Sequence, residues 1–196
     1  KSSCLRSITY QALRAGHRLA VIDPLGKTFR MLQRHPGLAA LALDADAAPA
    51  VVEAVVKEVD QRQHLFGTAP GYPDDIDEYN AVGAKRGLEP LPRYVFVIDE
   101  YNDLLIHHGG PRGPLAQVAA NIARVGRGFG ITVVVAAQEW TREAAGSIRG
   151  QCETRLCFKV RDRFTAQAVA GSSEATRLTV PGRAVMAGSG LVQAYY

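Results

Sequence analysis

Two stretches of the chain are continuous apolar runs that end in polar residues. "YVFVID" (94–99) and "ITVVVAAQ" (131–138) lack the alternation of apolar and polar positions that a half-exposed strand shows. Runs of this kind are typical of strands in a parallel sheet that is covered on both faces. We therefore predict that both stretches are buried strands inside one sheet.

Helical periodicity and turn signals divide the rest of the chain. The clearest amphipathic helix is predicted over 47–66, where Val51, Val55, Val59 and, less regularly, Leu65 lie on one face. Further helices are predicted over 2–15, 76–85, 113–128 and 162–170, and further strands over 18–23, 38–45 and 154–160. Two closing strands, "RAVMAG" and "LVQAYY", flank a "GSG" turn at 188–190. The order predicts an α/β fold with a mostly parallel central sheet flanked by helices and a C-terminal β-hairpin.

Composition narrows the class of protein without deciding its function. With 196 residues, 47% of them hydrophobic, the chain can bury the core of one domain, and we predict a single domain over 1–196. The net charge of +4 is compatible with a polyanionic partner but does not establish one. Cys4, Cys152 and Cys157 lack metal-site spacing and are predicted to be free thiols in a reducing cytosol. No apolar run approaches the roughly 20 residues that cross a bilayer.

Asp99 and Glu100 stand side by side at the end of the first apolar run. A buried carboxylate without a partner is costly, so this pair calls for a cation or a chemical role. Lys1 and Ser2 open the chain at the start of a predicted helix, as in the last part of a G-x-x-x-x-G-K-[ST] phosphate-binding loop. On their own, these two residues are better explained by a frayed N-terminus.

The two features together, in this order, predict a P-loop NTPase whose phosphate-binding loop begins upstream of Lys1. In this interpretation Lys1 binds the phosphates of ATP, and Ser2 and Asp99 hold Mg²⁺. Glu100 polarises the attacking water. Gln138, at the tip of the second apolar run, is predicted to contact the γ-phosphate or that water, although it could also be a polar residue that leaves a strand for solvent.

With these elements in place, the chain resembles the motor domain of FtsK/SpoIIIE-type ATPases, in the HerA/FtsK branch, almost from end to end. The similar segments are "KSS", "LAVIDPLGK", "DIDEYNAV", "VFVIDEYNDLL", "ARVGRGFGITVVVAAQ" and "IRGQCETRLCFKVRDRFTAQAVAG". The resemblance implies a RecA-like, ring-forming and usually hexameric ATPase that translocates double-stranded DNA, with ATP bound between subunits. It also implies a cytoplasmic domain, free or tethered to the membrane by a segment outside this sequence.

The resemblance implies roles for further residues. Ser3 joins Lys1 and Ser2 in the phosphate-binding loop. Arg127 is the first candidate for the arginine that one subunit donates to its neighbour's ATP, with Arg124 as the second, although a solvated arginine at a helix end is the alternative. Arg155 occupies the family's "TR" position, near the nucleotide or the subunit contact.

The sequence also departs from the family pattern. Glu139 and Trp140 follow Gln138 where the family has Arg-Pro, which indicates a divergent member from a plasmid, phage or integrative element. Type VII secretion ATPases, which move protein, share the fold, as do type IV secretion coupling proteins. A non-hydrolysing nucleotide-binding module is a further alternative, against which the intact acid pair argues.

Contact with DNA is predicted at a cluster of cations late in the chain, with a solvated charged face as the alternative. These cations are Arg142, Arg149, Lys159, Arg161 and Arg163.

Overall fold

Helices and strands alternate along most of the chain in the computed structural model, which describes residues 1–194. The elements are α1 (Ser2–Arg14), β1 (Arg18–Ile22), β2 (Leu38–Ala42), α2 (Ala48–Thr68), α3 (Ile76–Ala84), β3 (Tyr94–Ile98), α4 (Tyr101–His107), α5 (Pro114–Val125), β4 (Ile131–Val135), α6 (Arg142–Ala145), β5 (Leu156–Phe158), α7 (Arg163–Ala170), β6 (Arg183–Met186) and β7 (Gly190–Gln193). Short 3-10 turns lie at Arg30–Leu32, Gly110–Arg112, Gly146–Gln151 and Glu174–Arg177. Among residues 1–194, no helix combines the length and apolarity needed to cross a membrane.

The central sheet has four parallel strands in the order β2-β1-β3-β4. All five residues of β3 are buried, as its apolar run predicts. Helices cover both faces: α2 and α5 pack with one hydrophobic cluster, and α1 packs with the other. This architecture confirms the predicted fold class, and it brings the carboxyl ends of all four strands to the same edge of the sheet.

The prediction that β4 is buried on both faces is wrong. Ile131 is buried, but Thr132 is exposed and Val133, Val134 and Val135 are only half-buried. The reason is position, because β4 is the edge strand of the sheet that residues 1–194 form. The strand also ends earlier than predicted, so Gln138 lies in the loop that follows it.

A second, smaller sheet is antiparallel, in the order β5-β6-β7. Met186 pairs with Gly190 across the turn between β6 and β7, which confirms the predicted C-terminal hairpin. The predicted last strand extends to Tyr195 and Tyr196, which lie outside the described residues.

The apolar face of α2 differs from the prediction at one position. Val51, Val55 and Val59 are buried, but Leu65 is 37% exposed and Phe66 takes its place in the interior. Helical spacing explains the change, since the buried series continues through Arg62 to Phe66. The Phe66 ring stacks on Tyr79 of α3, with their centroids 4.7 Å apart.

Arg62 is a fully buried cation that ties α2 to two loops. Its guanidinium donates hydrogen bonds to Glu58 Oε1 (2.7 Å), Pro92 O (2.7 Å) and Phe129 O (2.8 Å). Pro92 lies just before β3, and Phe129 lies just before β4. The buried charge is therefore paired and hydrogen-bonded, as burial requires.

We expect Arg62→Met to lower the free energy of unfolding by about 3 kcal/mol, because two carbonyls and one carboxylate lose their donor in a dry environment. The same helix carries a matched control: Lys57 and Glu53 form an i, i+4 pair like Arg62 and Glu58, but on the solvated face. Lys57→Met should leave stability nearly unchanged. Equal effects of the two variants in urea-induced unfolding would contradict this account.

Candidate functional site

The predicted lysine and acid pair meet at the carboxyl edge of the central sheet. Lys1 precedes the first turn of α1, and its Nζ donates a hydrogen bond to Glu100 Oε1. The same nitrogen lies 3.9 Å from Asp99 Oδ1. Residues almost one hundred positions apart in the chain therefore form one charged cluster.

The backbone at Glu100 explains how two adjacent carboxylates point to different partners. Glu100 has φ 48° and ψ 51°, a left-handed conformation that residues other than glycine rarely adopt. This conformation starts α4 immediately after β3, with the Asp99 side chain against the interior and the Glu100 side chain towards Lys1. Strained backbone of this kind is concentrated at functional sites.

Gln138 completes the cluster from the loop after β4. Its Nε2 donates a hydrogen bond to Glu100 Oε2 at 3.1 Å. Its backbone is held by Asn102, whose Oδ1 accepts hydrogen bonds from the amides of Gln138 and Glu139, both at 3.0 Å. The sequence analysis missed Asn102, although its place just after the acid pair was a usable signal.

Asp23 and Thr28 support the buried Asp99, and neither was among the predicted site residues. Asp23, just after β1, accepts hydrogen bonds through Oδ2 from the amides of Thr28 (2.7 Å) and Phe29 (2.9 Å). This folds the loop back so that Thr28 Oγ1 donates to Asp99 Oδ2 at 2.8 Å. The signal was an aspartate at the end of an apolar strand, the same pattern that drew attention to Asp99.

The two neighbouring carboxylates have opposite pKa shifts. Burial raises the pKa of Asp99, and the hydrogen bond from Thr28 and the charge of Lys1 offset this only in part. Burial also acts to raise the pKa of Glu100, but the hydrogen bonds from Lys1 and Gln138 outweigh it, so this pKa lies below its ordinary value. Neighbouring acids whose pKa values are shifted in opposite directions are a feature of sites that carry out acid–base chemistry.

We expect Asp99→Asn to raise the thermal midpoint of the metal-free protein. A raised pKa means that the folded state favours protonated Asp99, so this group contributes stability at low pH that is lost as the pH rises through its folded pKa. The gain of the variant over the wild type should therefore grow as the pH rises above about 4, the ordinary pKa of an aspartate. The exposed acid Glu139, changed to glutamine, is the control; a gain for Asp99→Asn that shrinks with rising pH would contradict the assignment.

The remaining residues predicted for the nucleotide lie around this cluster. Ser2 and Ser3 are the first two residues of α1 and are half-buried. Ser2 and Ser3 supply hydroxyl oxygens at the start of α1, and Asp99 and Glu100 supply carboxylate oxygens beside Lys1. Oxygens of both kinds are the hard donors that Mg²⁺ prefers. No group of three or more histidine, cysteine or acidic residues with metal-site geometry occurs in residues 1–194. The donors fit a Mg²⁺ ion that shares its coordination with a bound phosphate.

Arg127 lies far from the cluster in its own chain. It falls in the loop between α5 and β4, whereas the acids and Gln138 follow the other ends of the strands. From Ile131 to Gln138 an extended chain at about 3.3 Å per residue covers roughly 20 Å. Arg127 is exposed and makes a single 3.4 Å contact with the equally exposed Glu153. Arg124 is also exposed and donates to Asn121 Oδ1 at 2.8 Å.

A cleft of about 840 Å³ runs along the open edge of β4 and connects these positions. Lys1, Glu100 and Gln138 line one end, and Arg127 lines the other. The opposite wall is the segment 151–160, which includes β5 and Arg155. Arg155 is half-buried, and among residues 1–194 its Nε has no hydrogen-bond partner.

A parallel sheet that gathers a lysine at a helix start, an Asp-Glu pair and a polar strand-end residue at one edge has the fold of a RecA-like P-loop NTPase. The chain belongs to the FtsK/SpoIIIE family, whose sequence profile matches residues 1–143.

Similar proteins have different roles. The DNA translocase SftA of Bacillus subtilis is 29% identical over 185 residues, which are 91% of this chain and 19% of SftA. The type VII secretion system protein EssC of Staphylococcus aureus is 27% identical over 146 residues, 74% of this chain and 9% of EssC. The chain therefore spans less than a fifth of the length of either relative.

Solved structures agree with the fold. The pCW3 conjugation coupling protein TcpA, solved in its monomer form with ATPγS, superposes with a TM-score of 0.79 at 26% identity, over 100% of this chain and 56% of TcpA. The cytoplasmic domain of the type VII secretion ATPase EccC from Thermomonospora curvata gives a TM-score of 0.76 at 20% identity, over 92% of this chain and 22% of EccC. The second likeness concerns the fold alone.

Proposed function

We propose that this chain is an ATP-hydrolysing motor domain that assembles into a ring and moves double-stranded DNA. The observation that carries the proposal is the convergence of Lys1, Glu100 and Gln138 beside the buried Asp99. A non-hydrolysing nucleotide-binding module would have no need of a strained glutamate that is aimed away from the interior.

Each side chain has a defined task in this proposal. Lys1 binds the phosphates of the substrate ATP, next to Ser3 at the start of α1, where backbone N–H groups favour anions. Ser2 and Asp99 would hold Mg²⁺, and the chemistry that the ion would supply is charge neutralisation on the phosphate oxygens. Glu100 accepts a proton from the attacking water, and its lowered pKa keeps it ionised at neutral pH. Gln138 senses the γ-phosphate through its contact with Glu100.

The cleft along β4 supports a phosphate-binding loop that begins upstream of Lys1. The edge of β4 and the segment with β5 face each other across it, and Lys1 lies at its mouth. A further strand upstream of Lys1, paired in parallel with β4, would end at the same edge of the sheet. The phosphate-binding loop would then connect the carboxyl end of that strand to Lys1. On this reading residues 1–196 belong to one motor domain.

The position of Arg127 supports assembly into a ring. An exposed arginine roughly 20 Å from the acid pair of its own chain is too distant to reach the ATP bound there, estimated from the rise per residue of a strand. A head-to-tail contact between subunits would bring it to the ATP of a neighbour, and repeated contacts of this type close into a ring. Arg155 lines the wall of the same cleft, which supports a role for it near the nucleotide or the subunit contact.

Double-stranded DNA is the cargo that we favour, in line with the role that the name of SftA states and with the net charge of +4. A cytoplasmic location, free or membrane-tethered, is part of this proposal. Protein export is the second candidate, because the EssC relatives are similar over much of the same region. A coupling-protein role like that of TcpA would also involve DNA.

The deciding experiment is the ATPase rate of the protein, with its segment upstream of Lys1, in the absence and presence of long duplex DNA. We expect hydrolysis that duplex DNA stimulates. Hydrolysis without any response to duplex DNA would reject the DNA motor and favour protein export. Binding of ATPγS without hydrolysis under either condition would favour the assembly module.

A further inference from the structure

A second cavity, of about 570 Å³, is lined by eight of the described residues, and three of these are arginines. It is formed by α6, the 3-10 turn at Gly146–Gln151 and the segment that leads to β5. Arg142, Arg149 and Arg155 line it, with Glu153 as its single acidic residue. We call it the arginine pocket.

The arginine pocket holds more positive charge than the described residues neutralise. Among residues 1–194, no carboxylate lies within 4.0 Å of its three guanidinium groups, and Glu153 contacts Arg127 instead. The Nε atoms of Arg149 and Arg155 are buried and have no hydrogen-bond acceptor within the same residues. These two N–H groups are enclosed by the protein, so the observation that favours an anionic ligand is the excess of positive charge along the cavity wall.

The backbone of the pocket is held in place. Gly146 has φ +63°, and a Cβ there would lie 2.5 Å from Pro111 O, so the turn fits only glycine. Ile148 is fully buried, and Arg149 donates to Ala168 O of α7 at 3.2 Å. Arg149 is therefore presented by a fixed turn and not by a loose surface loop.

The chemistry of the pocket selects a phosphate group. Planar guanidinium forks match phosphate oxygens, and several of them converge here. Among residues 1–194 no aromatic side chain lines the cavity, so these residues offer no surface there on which a base could stack. Arg149 also contacts α7, and the segment that enters this helix is rich in cations: Lys159, Arg161 and Arg163 are exposed, with one acid, Asp162, between the two arginines.

We propose that the arginine pocket binds a backbone phosphate of duplex DNA, and that the basic run before α7 contacts the phosphates next to it. This inference rests on the proposed function and gives the cargo a site of its own, separate from the ATP cluster at Lys1 and Glu100. Arg155 lines both cavities, so Arg142 and Arg149 are the residues that distinguish them.

The test measures the binding of a fluorescent 30-base-pair duplex over a series of salt concentrations, and of ATPγS in parallel, to the protein with its upstream segment. Arg142→Gln and Arg149→Gln should each weaken duplex binding several-fold and lower the slope of log K against log salt by about 0.9. ATPγS affinity should not change. Arg34→Gln, which removes one exposed charge outside the pocket, is the matched control and should have a smaller effect.

Ser147→Glu guards against a folding defect in Arg149→Gln. Ser147 is exposed at the pocket, so a glutamate there leaves the core intact while it repels phosphate. Duplex binding by the wild type that none of the three variants weakens would overturn the pocket and leave the motor proposal standing. Loss of ATPγS affinity with unchanged duplex binding would assign the pocket to nucleotide instead. A wild type that binds no duplex would reject both proposals.

Discussion

Replacing Glu100 with glutamine is expected to slow ATP hydrolysis by about 10²–10⁴-fold, the usual contribution of a general base. The amide fills the same space and keeps an oxygen for the hydrogen bond from Lys1, but it does not accept a proton from water. ATPγS binding should persist, since the phosphate contacts proposed for Lys1 and the start of α1 are unaltered. Steady-state phosphate release and equilibrium binding, measured on the same preparation, separate the two effects.

Glu139→Gln is the matched control for this prediction. Glu139 is an exposed acid only one residue beyond Gln138, and the same chemical change there should leave the rate near that of the wild type. Hydrolysis that survives Glu100→Gln would reject Glu100 as the base. An equal loss in both variants would point to a general effect of charge near the site.

Arg127→Ala is expected to reduce ATP hydrolysis by about 10³–10⁵-fold, the effect of an arginine finger in other P-loop systems. The reason is that this guanidinium neutralises charge on the γ-phosphoryl group of the neighbouring subunit's ATP. Arg86→Ala, which removes an exposed arginine that lines neither cavity, is the matched control, and Arg124→Ala tests the second candidate in parallel. A rate for Arg127→Ala like that of the control would transfer the role to another arginine.

Mixing two inactive variants tests whether Arg127 acts across the subunit contact. An Arg127→Ala subunit keeps Glu100, and a Glu100→Gln subunit keeps Arg127. In a random equal mixture about a quarter of the head-to-tail interfaces would join a working site to a working arginine, so activity should reappear on mixing. A mixture as inactive as its components would reject action in trans.

Much of the site could be predicted from the sequence, because parallel strands end at the same edge of a sheet. Once the apolar runs predicted β3 and β4, the residues after them had to lie near each other, and Asp99, Glu100 and Gln138 do. Lys1 joins them because α1 begins at the same edge. The role of Asn102 was not predicted, because it consists of hydrogen bonds from backbone amides that are far away in the sequence.

The errors in the fold have one physical origin. An apolar pattern reports which side chains avoid water, but not which neighbour covers them. The run over 131–138 was apolar enough for a central strand, yet β4 is an edge strand within residues 1–194. In α2 the pattern favoured Leu65, whereas the tertiary partners Tyr79 and Phe129 select Phe66. The role of Arg62 could not be predicted either, because no local sequence pattern shows that carbonyl groups in two distant loops accept hydrogen bonds from it.

The open edge of β4 has a consequence for handling the protein. An uncovered strand presents a row of backbone donors and acceptors on which another extended chain can assemble, and half-buried valines flank this one. A polypeptide that begins at Lys1 would expose this row of backbone groups to other copies of the same polypeptide. We expect such a fragment to aggregate in a concentration-dependent manner, and a short peptide that pairs with β4 should reduce the aggregation. The yield of soluble protein would then depend on where the expressed chain begins.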